Sequence, residues 1–337
     1  MSEEFRDPYF SLNLEKAERK EKNRIAIHLI LFVITIFTTT MAGMEWITGS
    51  AGPYEFSSLW IGLPYSISIL FILATHEFGH YFAARYHGVK ATLPYFIPLP
   101  SFSGMFLNFG TMGAVIRTKT AVPDNKAMFD IGVAGPIAGF IASLIVLIYG
   151  FTHLPGVGYI LSIHPDYFTS AYGTQGLNLK FGDTLLFSFL RHIFTNSSQF
   201  VPPMSEIYHY PYLCVGWFGL FVTSMNMIPV GQLDGGHVIY SMFGVDKHKI
   251  LSWASLAVLL VLGLMGLFGE LFNFSFGIGW TGWLVWGIVL FFVIKVKHPP
   301  VMYFHKLDRT RMIIGLVSIA ILILSFSPSP ITIAAGS

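Results

Sequence analysis

The stretch LWIGLPYSISILFILATHEFGHYFAA, Leu59 to Ala84, decides how the chain is read. It is long and apolar enough to cross a bilayer core, which takes about 20 helical residues. It nevertheless carries His76, Glu77 and His80 within the apolar run. Ionisable side chains inside a span are costly, so a group of three calls for a common purpose. On a helix, residues four apart lie one above the other, so His76 and His80 share a face and can bind one zinc ion through their imidazole nitrogens. Glu77 is rotated from that face by about 100°. It therefore reaches a water in an open coordination position rather than the ion, the division of labour of H-E-x-x-H metallopeptidase helices. The bland alternative for the same residues is a hydrogen-bonded polar patch that stabilises helix packing.

The rest of the chain agrees with a spanning reading. Of the 337 residues 53% are hydrophobic and only 11% charged, against about 25% charged in a soluble domain. With a mean hydropathy of +0.62, this excludes a water-soluble globular chain and a disordered one. A net charge of +2 gives no basic footprint for nucleic acid. One cysteine, Cys214, excludes an internal disulfide and reads as a small packing residue. The expected fold is an all-α polytopic membrane protein of about seven transmembrane helices: Ile25 to Met44, Leu59 to Ala84, Phe129 to Tyr149, Tyr212 to Ile228, Ile250 to Phe268, Phe276 to Ile294, and a short seventh from Met312 to Phe326. The polar and charged first 24 residues do not read as a secretory signal peptide. Within them Glu15 to Arg24 alternates in sign, as a solvated helix leading into the first span does.

Basic residues collect on the cytoplasmic side of membranes. With the N-terminus inside, the N-terminal tail, the segment after span two, the turn before span five and the loop after span six hold every Lys and Arg except Lys180 and Arg191. The bias predicts a multi-pass cell-membrane protein with a cytoplasmic N-terminus, an external C-terminus, and His76 toward the cytoplasmic side. Three parts follow: a cytoplasmic tail at 1–24, a membrane-embedded domain at 25–327 with an extracytoplasmic insertion at 152–211, and a C-terminal tail at 328–337. The insertion is too short for an added PDZ module. Within it Asp183 to Phe194 reads as a short interfacial amphipathic helix.

The facing ends of spans two and three both lie inside, and between them lies ATLPYFIPLPSFSGMFLNFGTMGAVIRTKT, Ala91 to Thr120. Its prolines and its glycines Gly104, Gly110 and Gly113 exclude a continuous helix. The segment is expected to be re-entrant and partly β-stranded, with a strand near Thr111 to Arg117. Irregular backbone at membrane depth is tolerated only against protein or a wet cavity, so a functional interior is expected beside it.

A catalytic zinc usually takes three protein ligands and leaves one position open. Span four ends in NMIPVGQLDGGH, Asn226 to His237, at the membrane level of His80. Asp234 is the obvious third ligand and His237 its rival. Gly235 and Gly236 let the backbone approach while the carboxylate points at the metal.

Together these motifs resemble the site-2 protease family, zinc metalloproteases embedded in the membrane. HEFGH matches its HExxH. Asn226 and Pro229, followed by Leu233-Asp234-Gly235, match its N-x-x-P…L-D-G. Gly110 to Ala114 and Gly135-Pro136 fall between them in the expected order, and the likeness covers Leu59 to Phe243. The run from Gly110 to Phe140 further resembles the branch without PDZ or CBS domains, which includes plastid gravitropism-related homologues. The resemblance implies one zinc per chain on His76, His80 and Asp234, with Glu77 as catalytic base and Asn226 binding the substrate backbone or the oxyanion. It also implies that the glycine-rich strand at Gly110, Thr111 and Gly113 clamps an unwound substrate, with transmembrane proteins as substrates and the lipid bilayer as the medium. One departure stands out, since Gly139 occupies the place of the Asn in the family's G-P-x-x-N. The competing functions are a divalent-cation transporter and a non-catalytic membrane scaffold. A transporter has no need of a Glu beside the first His, and a scaffold has no need of the intact set. The other histidines, among them His164 and His209, read as loop or interfacial residues rather than ligands.

Overall fold

The computed structural model describes residues 8–49, 55–100, 108–170, 172, 177–196, 198–274 and 276–335, with backbone alone for 8–24, 177, 178, 334 and 335. Nine helices and four strands are present among these residues. Helix α1 (Pro8–Thr48) contains the first apolar run. Its threonines Thr35, Thr39 and Thr40 each donate to the carbonyl four residues back, at 2.7 Å, so their hydroxyls are satisfied without water. A 3₁₀ turn (Phe56–Gly62) leads into α2 (Leu63–Tyr86), which holds His76, Glu77 and His80. The two helices cross at Gly43 and Gly62. A Cβ on Gly62 would lie 1.9 Å from the Thr40 carbonyl oxygen, a small-residue contact of the kind that lets helices approach in lipid.

After α2 come strand β1 (Tyr95–Pro98) and strand β2 (Thr111–Val115), an antiparallel pair with Tyr95 opposite Val115 and Phe96 opposite Ala114. The strand expected over Thr111 to Arg117 is therefore present; residues 101–107 of the segment lie outside the described residues. Buried side chains of α1 and α2 hold its second arm. Thr38 donates to the Gly110 carbonyl at 2.6 Å, Trp46 to that of Asn108 at 2.7 Å, and Tyr65 to that of Phe109 at 3.3 Å.

Helix α3 (Asn125–Thr152) begins with an Asp124 cap, whose carboxylate accepts from the Ala127 N–H at 2.8 Å. It packs along α2. The insertion that follows contains α4 (Gly158–Ile163), strand β3 (Leu177–Phe181) and α5 (Leu185–Phe194). Helix α5 is capped by Thr184 and is the short amphipathic helix that its sequence predicts, with Leu186, Phe187 and Leu190 buried and Leu185, Phe189 and Ile193 exposed. Helix α6 (Pro211–Met227) is the most enclosed element. Twelve of its residues are buried, because α2, α3, α7 and α9 all pack on it. Pro229 stops it two residues on.

Helix α7 (Asp234–Phe272) is one run broken at Gly244, whose φ of +79° only glycine adopts readily. The break separates a short helix carrying Asp234 from the apolar span beyond. The sixth apolar run departs from its expected start at Phe276. Helix α8 starts at Gly282 (Gly282–Val289) and continues as a π-helical turn to Ile294. The preceding Gly277 and Gly279 have φ of +74° and +113°, outside the helical region. Gly279 also sits where a Cβ would be 2.8 Å from the Leu262 carbonyl oxygen. Helix α9 (Arg309–Ser325) covers the seventh run, and strand β4 (Ile331–Ala335) ends the described chain. β4 pairs antiparallel with β3, Phe181 opposite Ile331 and Leu177 opposite Ala335, so the insertion and the C-terminal segment lie on one face of the bundle.

Among the described residues, four helices are long and apolar enough to cross a membrane: Ile25–Thr48, Phe56–Tyr86, Asn125–Thr152 and Asp234–Phe272. Helices α6 and α9 are apolar but 17 residues long, and α8 with its π-turn is shorter still. The helical membrane architecture is thus present, and four of the seven expected spans have full-length helices among the described residues.

Candidate metal centre

His76 and His80 point from the same face of α2, with their Nε2 atoms 3.1 Å apart. Asp234, the first residue of α7, brings its Oδ2 to 3.4 Å from both. A tetrahedral zinc with bonds of about 2.0–2.1 Å spaces its ligand atoms about 3.3 Å apart. The three edges therefore fit one zinc ion, and the triangle leaves a side open. His80 Nδ1 lies 2.7 Å from the Ile131 carbonyl oxygen in α3. A carbonyl only accepts, so the proton sits on Nδ1 and Nε2 turns its lone pair inward, the usual outer partner of a metal-binding histidine. All three α2 side chains are buried, Glu77 to 8% exposure. Glu77 faces the backbone N–H of Ile116, just past β2, and is not part of the ligand triangle.

The glycines explain how two loaded helices approach so closely. A Cβ on Gly235 would fall 2.0 Å from the Met227 carbonyl oxygen, and one on Gly236 would fall 2.3 Å from that of Gly231. The D-G-G sequence thus presses the first turn of α7 onto the end of α6 and carries Asp234 to the histidines. On the other side, a Cβ on Gly135 would lie 2.1 Å from His80 Nε2, and one on Gly139 would lie 3.1 Å from His76 Nδ1. The G-P-I-A-G run of α3 is therefore the wall against which both imidazoles rest. Sequence reading noted the motif without this role. The departure at Gly139 leaves the His76 ring face without a neighbouring side chain at that position and removes none of the three ligand atoms.

His237 does not join the cluster. Its Nδ1 meets His298 Nε2 at 2.8 Å, a partner distant in sequence that no spacing announces. Asn226 does reach the site, with Nδ2 3.5 Å from His76 Nε2. The three residues of the expected clamp differ in their surroundings. Gly110 is closed in, since a Cβ there would be 2.4 Å from Thr39 Cα. Thr111 is buried and its hydroxyl donates to the Ile97 carbonyl at 2.8 Å. Gly113, with φ of +97°, faces open space, beside the exposed Met112. β2 pairs with β1 along one edge, and its other edge has no strand partner among the described residues.

Helices long enough to span, wrapped around a buried two-histidine, one-carboxylate set able to hold a metal ion, define a helical membrane protein with an internal metal centre. A model of peptidase family M50 matches residues 64–269, more than half of the chain, and the chain belongs to that family, the site-2 proteases. It is similar to "Probable zinc metalloprotease EGY1, chloroplastic" of Arabidopsis thaliana, 34% identical over 62% of this chain and 34% of that protein. The rice (Oryza sativa subsp. japonica) protein of the same name is 32% identical over 65% of this chain and 38% of its own length. "Probable zinc metalloprotease EGY2, chloroplastic" of Arabidopsis thaliana is 28% identical over 71% and 36%. The chain thus spans little more than a third of the length of these relatives. The resemblance drawn from HEFGH and the L-D-G motif is borne out, and zinc is the metal that the family and the donor set imply.

Proposed function

We propose that the protein is an intramembrane zinc metalloendopeptidase that hydrolyses peptide bonds in or near the transmembrane segments of other membrane proteins. The observation that carries the reading is the convergence of His76, His80 and Asp234 at 3.1–3.4 Å, with the buried carboxylate of Glu77 beside them. Bound zinc supplies Lewis acidity, lowering the pKa of a water to about 7 and polarising the scissile carbonyl. Glu77 takes a proton from the attacking water and returns it to the leaving amine. On this reading Asn226, whose Nδ2 lies 3.5 Å from His76 Nε2, donates its amide N–H to the carbonyl oxygen as charge develops there. The substrate helix must unwind locally to expose its carbonyls. The unpaired edge of β2, open at Gly113, accepts such a segment by strand addition; on this reading Gly110 and Thr111 shape the strand rather than touch the substrate.

Metal analysis tests the ligand set. Asp234→Ala is expected to weaken zinc binding in the purified protein, and His237→Ala to leave it unchanged. The opposite pattern transfers the third ligand to His237.

The re-entrant character of 91–120, the seven-span path and the cytoplasmic position of the site belong to the same proposal. They rest on the distribution of Lys and Arg and on the shared face of β3 and β4. Because the only cysteine, Cys214, is buried, thiol labelling of introduced cysteines starts from a low background. Impermeant reagent added outside intact cells is expected to label a cysteine at Ser188 and to spare one at Lys119 or Lys306. Labelling of the Lys119 and Lys306 positions alone inverts the topology.

A further inference from the structure

His164, at the end of α4, and Glu206 and His209, in the turn before α6, converge at the other end of the bundle. The His164 and His209 Nε2 atoms are 2.9 Å apart, and Glu206 Oε2 lies 3.8 Å from the first and 3.7 Å from the second. Residues 207–209 form a 3₁₀ turn, in which side chains three apart eclipse, so Glu206 and His209 are stacked on one side of it. Helix α6 starts two residues later and ends with Asn226 beside His76. Its 17 residues rise about 25 Å, so this cluster is separate from the His76 centre.

The atoms of His209 and Glu206 that face away from the cluster are already held. His209 Nδ1 lies 2.8 Å from the Ile47 carbonyl oxygen in the last turn of α1, which puts the proton on Nδ1 and leaves Nε2 with its lone pair. Tyr172 donates its hydroxyl to Glu206 Oε1, and Tyr159 donates to the His209 carbonyl at 2.5 Å. Glu206 Oε2 remains. It is buried, the residue is 2% exposed, and it has no hydrogen-bond partner among the described residues. A hydrogen bond between the two imidazoles satisfies the rings and leaves this oxygen bare, at a cost of about 1–3 kcal/mol or more for a charged group. A cation among the three atoms satisfies all of them.

We propose that His164, Glu206 and His209 form a second metal site, which takes a divalent transition-metal ion, zinc foremost, and ties the end of α4 to the turn before α6. Given edges of 2.9, 3.7 and 3.8 Å, the point equidistant from the three atoms lies about 2.0 Å from each, within the range of zinc–nitrogen and zinc–oxygen bonds. Two imidazoles and a carboxylate suit zinc and exclude the soft-ligand ions that need thiolates. The contacts to Ile47 and Tyr172 are the outer partners that fix ring and carboxylate orientation at metal sites. His164 is half-buried, which leaves a path for the ion and a place for a water as fourth ligand.

The test is zinc titration of the full-length chain, stripped of metal in detergent, against a competing chromophoric chelator. Wild type is expected to bind about two equivalents, since each ligand set closes on its own ion. His76→Ala/His80→Ala is expected to keep one of them, and adding His164→Ala to abolish it. His164 is the chosen ligand because its ring is partly exposed and its removal opens no core cavity. A single equivalent in wild type, unchanged by His164→Ala, overturns the proposal. So does a second equivalent that survives both His164→Ala and Glu206→Gln. Where the triple variant does not fold, His164→Ala alone decides the question: it is expected to bind one equivalent fewer than wild type, and an unchanged stoichiometry overturns the proposal.

Discussion

Glu77→Gln is expected to fold, insert and keep its zinc, and to lose cleavage of a model transmembrane substrate by about 10²–10⁴-fold, the usual contribution of a general base. The exchange preserves size and hydrogen bonding and removes only the basic carboxylate. Its specificity comes from geometry. Glu77 follows His76 by one residue, a rotation of about 100° on the helix, so it stands off the ligand face and is absent from the 3.1–3.4 Å triangle. Parallel assays of zinc content and of cleavage check this. Near wild-type, zinc-dependent cleavage by Glu77→Gln removes Glu77 as the base. A non-catalytic scaffold predicts no change in its own function from this substitution, so the same variant separates a protease from a scaffold.

Gly135→Ala should be almost as damaging, although the residue touches neither substrate nor water. The added methyl would lie 2.1 Å from His80 Nε2 and 2.4 Å from two ring carbons, closer than any non-bonded contact. Backbone does not yield there, because α2 and α3 are locked at Gly79, where a Cβ would already be 2.6 Å from the Ala134 carbonyl oxygen. The imidazole must therefore move, pulling away from the Ile131 carbonyl that orients it. Loss of an orienting partner alone typically costs about 10–100-fold in metal affinity, so a loss of at least that order is expected, with cleavage falling alongside. Zinc affinity equal to wild type in Gly135→Ala overturns the account of α3 as the wall of the site. Gly139→Ala is the graded comparison: its methyl meets His76 at 3.1 Å, a gap that small shifts relieve, so its effect should be the lesser of the two.

What the sequence determined by itself is the part of the site made within one helix. The i, i+4 pairing of His76 and His80, and the offset of Glu77, follow from helical geometry wherever that helix lies. The apolar runs, the amphipathic helix at Leu185–Phe194 and the strand at Thr111–Val115 are likewise local, since each depends on side-chain periodicity or on proline and glycine over a few residues. The end of span four, at the level of His80, put Asp234 forward with His237 as its rival, and the likeness of the L-D-G motif to a family favoured Asp234. Only the tertiary structure decided the choice of Asp234 over His237. Both sit in the first turn of α7, and it is the approach of Gly235 and Gly236 to the end of α6 that turns one toward His76 and the other toward His298. It also decided that Gly135 and Gly139 face the histidines, that β4 closes on β3 across the chain, and that His164 and His209, bland as isolated residues, meet around Glu206. Such meetings are set by which helices pack and how closely, and the packing of distant elements leaves no period in the sequence from which to read it.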